Sequence, residues 1–439
     1  MIDLGIVGGG ISGLALGVFA KEHLQIALFE KNPTLGGVLQ NSSTDDCVRD
    51  HAANGWLNNE PTVEHLLKII DLDQQQIVAN NHKSTRFLVQ NNQLQALHPK
   101  ILLSSLLSWK GLFGIISDLW KAPGRSDDES MAEFISRRFH PDLVDNFVAP
   151  MTAGIYACEP EELSVPAAFP NLWALEKEYG SLIKGMRKSK SPRGQLTTIQ
   201  GGMGHLIQKL QEYLQSDIHC DQEIQYLERH CDHWIVQSNN QEWTCRNIAL
   251  TCPAPSQAKL LQPLFPDLAL QLQKIEYAPV AVVIQEFDAT DFVELPQGFG
   301  ALLTRSERED GTLGILFTSH IFPSHAPKGT VTTRTILGGS IRPEVVTKSN
   351  QELMAIALKR HQQIFNSPNL QSTNTLVIKH PLGIPKYPKG HLQIQQYISQ
   401  FHQKHPNIRL SGNHLFGVAI KDCIRNAHSI SQHFAPNSL

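Results

Sequence analysis

A glycine-rich turn near the start of the chain lies between two segments of β-type sequence. Ile2 to Val7 is a short apolar run, and Gly8-Gly9-Gly10-Ile11-Ser12-Gly13 follows it directly. Leu14 to Lys21 then has the composition of a helix, and Gln25 to Phe29 is a second apolar run that ends at Glu30. A strand, a turn, a helix and a second strand in this order predict the first βαβ unit of a dinucleotide-binding domain.

The three glycines of the turn have distinct roles in such a unit. Gly8 permits the tight turn, Gly10 lets backbone N–H groups approach a pyrophosphate, and Gly13 allows the helix to pack closely on the strand. The N-terminus of the helix adds partial positive charge for the phosphates. Glu30 ends the second strand, where a carboxylate accepts hydrogen bonds from ribose hydroxyls. An acid at this position serves both NAD and FAD, so it leaves the choice of dinucleotide open.

A second glycine pair, Gly36 and Gly37, follows the acid after a short loop. It resembles the pair found at this place in the flavin amine oxidase and desaturase superfamily, whose members bind FAD. A basic residue often follows the pair in that superfamily, whereas this chain has Val38 and Gln40. The resemblance favours FAD as the cofactor.

Composition excludes several other classes of protein. With 439 residues, 41% of them hydrophobic and 18% charged, the chain is long enough for two or three domains and is not disordered. Its net charge of −3 provides no overall field for nucleic acid. The 7 cysteines form no CxxC pair and the 20 histidines form no HExxH motif, so we expect reduced thiols, a cytoplasmic location and no metal site. A serine hydrolase is unsupported, because the chain has no GxSxG elbow.

Two segments raise the question of a membrane surface. No run of 18 purely apolar residues occurs, but Ile101 to Trp120 has an apolar stripe at helical spacing, made of Leu102, Leu106, Trp109, Phe113, Ile116 and Trp120. Such a helix packs on its own core or lies at a membrane surface or substrate channel. The second segment has five basic residues, Lys184, Arg187, Lys188, Lys190 and Arg193. They form a solvated loop or attract anionic lipid head groups.

A discontinuous domain arrangement is what the family resemblance of the four sequence blocks described next implies, and the coarse order of helices and strands suggests the boundaries. We expect an FAD-binding domain of residues 1–85, 196–260 and 405–439. A mainly helical substrate or membrane domain would comprise residues 86–195, and a β-rich substrate domain residues 261–404. The predicted fold class is mixed α/β (α+β), with a Rossmann-like FAD-binding domain.

Four blocks of sequence resemble the oxygen-dependent protoporphyrinogen oxidase family over nearly the whole chain. The first contains Phe147-Val148-Ala149-Pro150-Met151-Thr152-Ala153-Gly154-Ile155-Tyr156-Ala157 and continues through Glu161 to Pro170, Trp173 and Gly180 to Ile183. The others are Leu313 to Gly339, Ile384 to His391 and Leu410 to Ile424. These blocks are more selective than the glycine turn.

The resemblance implies a fold and an activity. The expected fold has a discontinuous FAD domain, a β-rich substrate domain and a helical domain at the membrane surface. The expected reaction is the stepwise oxidation of protoporphyrinogen IX to protoporphyrin IX in heme biosynthesis, with hydride transfer to flavin N5 and dioxygen as electron acceptor. No side chain can be named as an obligatory base.

The resemblance also implies a set of site residues. For the substrate, it points to Arg86 as a carboxylate anchor and to Leu302 and Phe322 as an apolar clamp on the macrocycle. The predicted FAD-binding residues are Gly8, Gly10, Ile11, Ser12, Gly13, Glu30, Lys31, Gly36, Gly37, Ile224, Gly412, Val418, Ala419 and Ile420. The alternative for Arg86 is an ordinary exposed arginine, and the alternative for Leu302 and Phe322 is ordinary packing in the core.

The sequence leaves several alternatives open. The stretch Arg49-Asp50-His51-Ala52-Ala53-Asn54-Gly55-Trp56 departs from the family, which usually has a glycine where this chain has alanine. Coproporphyrinogen III, with two more carboxylates, is the alternative substrate, and amine oxidation fits the blocks less well. A non-catalytic protein that binds porphyrin and flavin is a further alternative. The expected partners are a porphyrinogen, dioxygen and an anionic membrane surface on the cytoplasmic side, with no nucleic acid and with a homodimer left open.

Overall fold

A computed structural model describes residues 1–43, 47–80, 85–97, 108–189, 194–292 and 297–435. Contacts within the chain define two compact units. The first unit comprises Met1–Val78, Arg193–Glu276 and Gln393–Leu439, and the second comprises Ala79–Pro192 and Tyr277–Leu392. The separation of a helical domain from a β-rich domain stays a prediction.

Strands and helices alternate along both units. The strands are β1 (Ile2–Val7), β2 (Ile26–Phe29), β3 (Trp56–Leu57), β4 (Gln76–Val78), β5 (Arg86–Gln90), β6 (Gln93–Ala96), β7 (Leu196–Ile199), β8 (Ile218–His219), β9 (Ile224–Arg229), β10 (Trp234–Ser238), β11 (Glu242–Leu250), β12 (Tyr277–Asp288), β13 (Gly300–Leu303), β14 (Thr312–Leu316), β15 (Thr330–Gly338), β16 (Asn374–Pro385) and β17 (Ile408–Leu410). The α-helices are α1 (Ile11–Lys21), α2 (Pro61–Ile69), α3 (Trp109–Ser117), α4 (Met131–Arg138), α5 (Pro141–Leu143), α6 (Ala149–Tyr156), α7 (Val165–Ala168), α8 (Pro170–Tyr179), α9 (Leu182–Lys188), α10 (Gly202–Leu214), α11 (Ala254–Leu261), α12 (Pro266–Gln273), α13 (Thr318–Ile321), α14 (Asn350–Ile364), α15 (His391–Lys404) and α16 (Ile420–Phe434).

The first unit is built around a sheet with the order β8-β2-β1-β11-β10-β9, in which β17 also pairs with β11. The neighbouring pairs among β8, β2, β1, β11 and β17 are all parallel. Strand β10 pairs in antiparallel fashion with β11 on one side and with β9 on the other. All four residues of β2 are buried, as expected for a central parallel strand covered on both faces. Helix α1 packs against α10 and α16 in the core of this unit. A small sheet of β3, β7 and β4 completes the unit.

The second unit contains a larger sheet with the order β16-β12-β15-β14-β13-β5-β6. Its pairs are antiparallel except for β5 and β13, which are parallel. One face is covered by a cluster of buried residues that includes Phe87, Ala301, Ile315 and Phe317 together with Ile364 of α14. Because side chains alternate across a strand, the neighbours of these residues lie on the opposite face. The mixed α/β class predicted from the sequence is confirmed.

The helical part of the second unit differs from one sequence-based interpretation. Trp109, Phe113, Ile116 and Trp120 are 88, 70, 53 and 73% exposed, so the interpretation of this stripe as a core-facing surface is wrong for the described residues. Asp118 beside them is fully buried, and the buried guanidinium of Arg138 donates to its carboxylate, which offsets the cost of burying this charge. Residues 101–107 of the predicted stripe lie outside the described residues, as do Lys190 and Arg193 of the basic segment.

Candidate dinucleotide and substrate sites

The turn after β1 is shaped by close backbone packing at two of its glycines. Gly8 has φ +115°, and a Cβ added to it would lie 2.8 Å from the backbone nitrogen of Cys252. A Cβ added to Gly13 would overlap the carbonyl oxygen of Gly8. The hydroxyl of Thr251 donates to the same oxygen at 2.9 Å. Both glycines are therefore required by the fold of the turn itself.

Gly10 differs from these two glycines, because an added Cβ would meet no atom within 4 Å. It is the N-cap of α1 and has φ −76°, which any residue can adopt. No side chain caps this helix end, and the first turn contains no acidic residue. The uncapped N-terminus of α1 thus borders an open space at Gly10, which suits a pyrophosphate. Ile11 and Ser12 form the first turn of the helix; Ser12 is buried and Ile11 is half-buried.

Glu30 is oriented by its own backbone surroundings. Its Oε2 accepts a hydrogen bond from the Gly9 N–H at 2.7 Å, and its Oε1 accepts from the backbone and side-chain nitrogens of Asn32 at 3.0 and 2.8 Å. A carboxylate has about four lone-pair sites, so these three bonds leave one for a ribose hydroxyl. Lys31, the next residue, is exposed.

The second glycine pair lies directly on the first turn. The Gly36 N–H donates to the carbonyl oxygen of Gly9 at 2.8 Å, and Gly36 forms an isolated bridge with Gly10. Gly36 and Gly37 both have positive φ, +97° and +59°. A Cβ on Gly37 would lie 3.6 Å from the Gly10 Cα. The structure therefore brings together the two glycine motifs that the sequence analysis treated separately.

Two more distant segments reach the same end of the sheet. Before β9, the Gln222 N–H donates to the Glu30 carbonyl oxygen at 2.9 Å, and Ile224 is buried at the start of that strand. After β17, Gly412 has φ +137°, and α16 begins at Ile420 with Ala419 as its N-cap. The predicted FAD-binding residues Val418, Ala419 and Ile420 therefore lie at the start of this helix.

The stretch that departs from the family is anchored on the first unit by polar contacts. Asn41 and Asp50 form an antiparallel bridge, and Asp50 Oδ1 accepts from the Met203 N–H at 2.8 Å, at the start of α10. The Ser42 hydroxyl lies 2.7 Å from His51 Nε2. The sequence alone did not indicate that Asp50 caps α10, because the two residues are far apart in the chain.

Two of the predicted substrate residues lie on adjacent parallel strands of the second unit. Arg86 is in register with Gly300, and Leu302 follows two residues later on β13. Arg86 is exposed, and its guanidinium carbon lies 5.2 Å from the centroid of the Phe299 ring. Leu302 is half-buried on the face opposite the Phe87 cluster. A Cβ on Gly154 of α6 would lie 2.6 Å from Leu302 Cδ2, so α6 covers one side of this leucine.

The sheet adds residues that the sequence analysis missed. Gly300 pairs with Leu316, Leu302 pairs with Gly314, and Gly314 pairs with Ile336. Leu316 and Ile336 are half-buried like Leu302, and we call these three residues the aliphatic face. Gly314 lies between Leu302 and Ile336, and Ile336 also packs against the buried cluster that contains Ala153 and Ala157. Arg86 and Leu316 belong to one row across the sheet, two strand spacings or about 10 Å apart.

Phe322 lies apart from this row. It follows α13, is fully buried and contacts the His325 ring, with the two ring centroids 5.4 Å apart. Nothing in the strand register places it on the aliphatic face. Its role in the substrate clamp stays a prediction.

The parallel sheet and the paired glycine turns define a protein that binds a dinucleotide at the carboxyl ends of its strands. The chain belongs to the flavin containing amine oxidoreductase family, whose sequence profile matches residues 11–433. Its cofactor is accordingly FAD, as the sequence analysis predicted. The open cradle at Gly10 and the helix end behind it fit the pyrophosphate, and Glu30 would hold the ribose.

Known relatives cover almost the entire chain. A protoporphyrinogen oxidase 2 from Arabidopsis thaliana is 27% identical over 94% of this chain and 90% of its own length. A coproporphyrinogen III oxidase from Bacillus subtilis is 24% identical over 95% of both chains. The crystal structure of a protein assigned as a protoporphyrinogen oxidase from Exiguobacterium sp. has a TM-score of 0.84 at 23% identity, covering 98% of both chains. A reduced UDP-galactopyranose mutase has a TM-score of 0.76 at 13% identity, with 100% of this chain and 98% of its own covered.

Two further features of the described part of the chain concern metal binding and membrane insertion. There, no group of three or more His, Cys, Asp or Glu residues could hold a metal ion. Within the same ranges, no helix is both long enough and apolar enough to cross a membrane.

Proposed function

We propose that this flavin-dependent oxidoreductase oxidises protoporphyrinogen IX to protoporphyrin IX, with dioxygen as the final electron acceptor. The observation that supports this proposal is the aliphatic face with Arg86 at its edge. Aliphatic side chains suit contact with a flat macrocycle, and a guanidinium can bind a carboxylate of that macrocycle through two parallel hydrogen bonds. The names of the relatives agree with a porphyrinogen substrate.

In this proposal, some residues of the chain bind the substrate and one residue orients it. Leu302, Leu316 and Ile336 would contact one face of the substrate, and Arg86 would fix its rotation. When bound, FAD supplies the chemistry of the oxidation by accepting a hydride. No side chain caps the start of α16, so its first N–H groups could stabilise negative charge on the flavin, which supports the predicted roles of Gly412, Val418, Ala419 and Ile420.

Coproporphyrinogen III is the second candidate substrate, because coproporphyrinogen III oxidases are about as similar to this chain as the plant enzymes are. The experiment is anaerobic mixing of the flavin-loaded protein with each porphyrinogen while the visible flavin absorbance is followed. Fast bleaching by protoporphyrinogen and slow bleaching by coproporphyrinogen is the expected result. The reverse order would assign the second substrate. A bound flavin that neither compound bleaches would contradict both assignments and favour a binding protein.

A lipid surface remains part of the proposal. The exposed aromatic side chains of α3 and the exposed basic residues Lys184, Arg187 and Lys188 of α9 support peripheral binding to anionic lipid on the cytoplasmic face. A homodimer, the three-domain division and the substrate clamp at Phe322 are likewise proposals.

A further inference from the structure

A buried glutamine connects the ends of two parallel strands in the first unit. Gln257 on α11 is 0% exposed. Its Nε2 donates to the carbonyl oxygens of Cys252 at 2.7 Å, Ser411 at 2.8 Å and Leu250 at 3.1 Å. A primary amide has two N–H donors, so at least one of them is shared between two acceptors. One side chain thus bonds to the backbone beyond β11 and to the backbone beyond β17.

Each of these backbone segments adjoins one part of the dinucleotide site. The Cys252 nitrogen lies 2.8 Å from the position of a Cβ on Gly8, and the neighbouring Thr251 hydroxyl donates to the Gly8 carbonyl oxygen. Ser411 directly precedes Gly412, the residue with φ +137° in the segment that leads to α16. Gln257 therefore connects the Gly8 turn to the Gly412 turn.

The backbone hydrogen bonds between β11 and β17 hold the two segments together only as far as the last residue pair of these strands. Among the described residues, β11 and β17 pair in register as far as Leu250 and Leu410, and the Ser411 N–H then donates to the Leu250 carbonyl oxygen at 2.8 Å. Beyond that point the chains diverge into the two turns. The Gln257 amide donates to the carbonyl oxygens of Cys252 and Ser411, and the bond to Ser411 is buried, so that oxygen would lose a donor away from water if the amide were removed.

We propose that Gln257 is a positioning residue for FAD. Its amide holds the Gly8 and Gly412 turns at the separation at which both can contact one dinucleotide. No sequence pattern indicates this role, since a glutamine in an ordinary helix is usually exposed. The inference rests on FAD binding and is independent of which porphyrinogen is the substrate, so either proposal can fail without the other.

The test measures the affinity of the apoprotein for FAD by titration and flavin fluorescence. Gln257→Met keeps the length of the side chain and removes its donors. The matched control is Gln262→Met, at the exposed C-terminal end of the same helix. We expect the Kd for FAD to rise at least tenfold in the first variant, or about 1.4 kcal/mol, and to stay within twofold in the control.

Melting temperatures separate positioning from general stability. If Gln257 positions the cofactor, the rise in melting temperature on adding FAD is smaller in Gln257→Met than in the parent protein at the same FAD concentration. A purely structural role lowers the melting temperatures of the apoprotein and the FAD-loaded protein equally and leaves the Kd unchanged, and this result would overturn the proposal.

Gln257→Asn provides a second variant that keeps the amide but is one methylene shorter. It is the test variant if Gln257→Met does not fold, and a Kd raised several-fold supports the proposal. A Kd within twofold of the parent value would overturn it. Failure of both variants to fold would also overturn it, because the residue would then serve the fold as a whole.

Discussion

The carbonyl oxygen of Gly8 occupies the place that a side chain on Gly13 would need. A Cβ built on Gly13 overlaps that oxygen and lies 2.7 Å from the Thr251 hydroxyl, whereas a Cβ built on Gly10 meets nothing within 4 Å. The same motif thus contains a glycine required by protein packing and a glycine required by the ligand. The two requirements lead to opposite results on substitution.

We expect Gly13→Ala to destabilise the protein and Gly10→Val to abolish FAD binding. The alanine must displace backbone, at a cost of at least about 2 kcal/mol of unfolding free energy. The valine fills open space at the pyrophosphate cradle and leaves the melting temperature of the apoprotein nearly unchanged. Thermal unfolding of the apoproteins and the flavin spectrum after reconstitution check both results. A full flavin spectrum in Gly10→Val would show that the loop is misassigned.

Arg86→Ala should weaken porphyrinogen oxidation without affecting FAD content. Loss of one charge-assisted bond to a carboxylate removes about 1.5–3 kcal/mol of transition-state stabilisation. This corresponds to a roughly ten- to 150-fold decrease in kcat/KM. Arg342→Ala, which removes another exposed arginine of the second unit, is the control and should retain parent kinetics. Parent kcat/KM in Arg86→Ala would mean that the carboxylate anchor lies elsewhere.

Leu302→Ala and Phe322→Ala distinguish a residue that contacts substrate from one that supports the core. Leu302 is half-buried on the aliphatic face, so its truncation should impair turnover and cost only about 1–2 kcal/mol of stability. Phe322 is fully buried, so we expect its truncation to cost about 3–5 kcal/mol. Denaturant unfolding and steady-state kinetics on both variants are the measurements. If Phe322→Ala instead loses activity with little loss of stability, its sequence-based place in the clamp is supported.

The sequence predicted those parts of the dinucleotide site that are local. Gly8, Gly10, Gly13 and Glu30 lie within one βαβ unit, and their spacing alone determines how they meet.

The rest of the site depends on pairings that no local pattern contains. Leu316 and Ile336 join Leu302 only through the register of β13, β14 and β15. Gln257 meets Ser411 because β17 pairs in parallel with β11, more than 150 residues earlier in the chain. The periodicity of the α3 segment predicted a helix, but the same amphipathic pattern arises on a core-facing and on a solvent-facing surface, so it could not predict exposure.

Acid should destabilise the second unit through His361. This residue is fully buried on α14 between the rings of Phe287 and Phe365, and its Nδ1 bonds to the Ala357 carbonyl oxygen at 2.6 Å. Burial lowers the pKa of His361 from 6.5 to about 4. The unfolded chain therefore takes up the proton first, and stability is lost as the pH falls from 6.5 towards 4, by up to about 3 kcal/mol.

Urea unfolding between pH 4 and 7 tests this expectation. His361→Leu should flatten the pH dependence in that window, whereas His230→Gln, at an exposed hairpin, should not change it. Burial also lowers the pKa of His402, to about 3, so part of the dependence should remain in the leucine variant. An unchanged profile in His361→Leu would show that its proton uptake does not limit stability.

The exposed aromatic residues of α3 should bind to anionic vesicles. Trp109 and Phe113 are 88 and 70% exposed, and aromatic rings of this kind partition into the interface between lipid and water. Each basic residue near an anionic membrane surface adds on the order of 1 kcal/mol to the free energy of binding. This attraction weakens with added salt, because the Debye length falls to about 10 Å at 0.1 M. Co-sedimentation of the FAD-loaded protein with vesicles containing phosphatidylserine should decrease with salt and fall several-fold in the double variant Trp109→Ser, Phe113→Ser. Tyr226→Ser, which removes a 64% exposed ring from the first unit, is the matched control. Equal recovery with and without anionic vesicles at low salt would exclude this surface as a lipid-binding site.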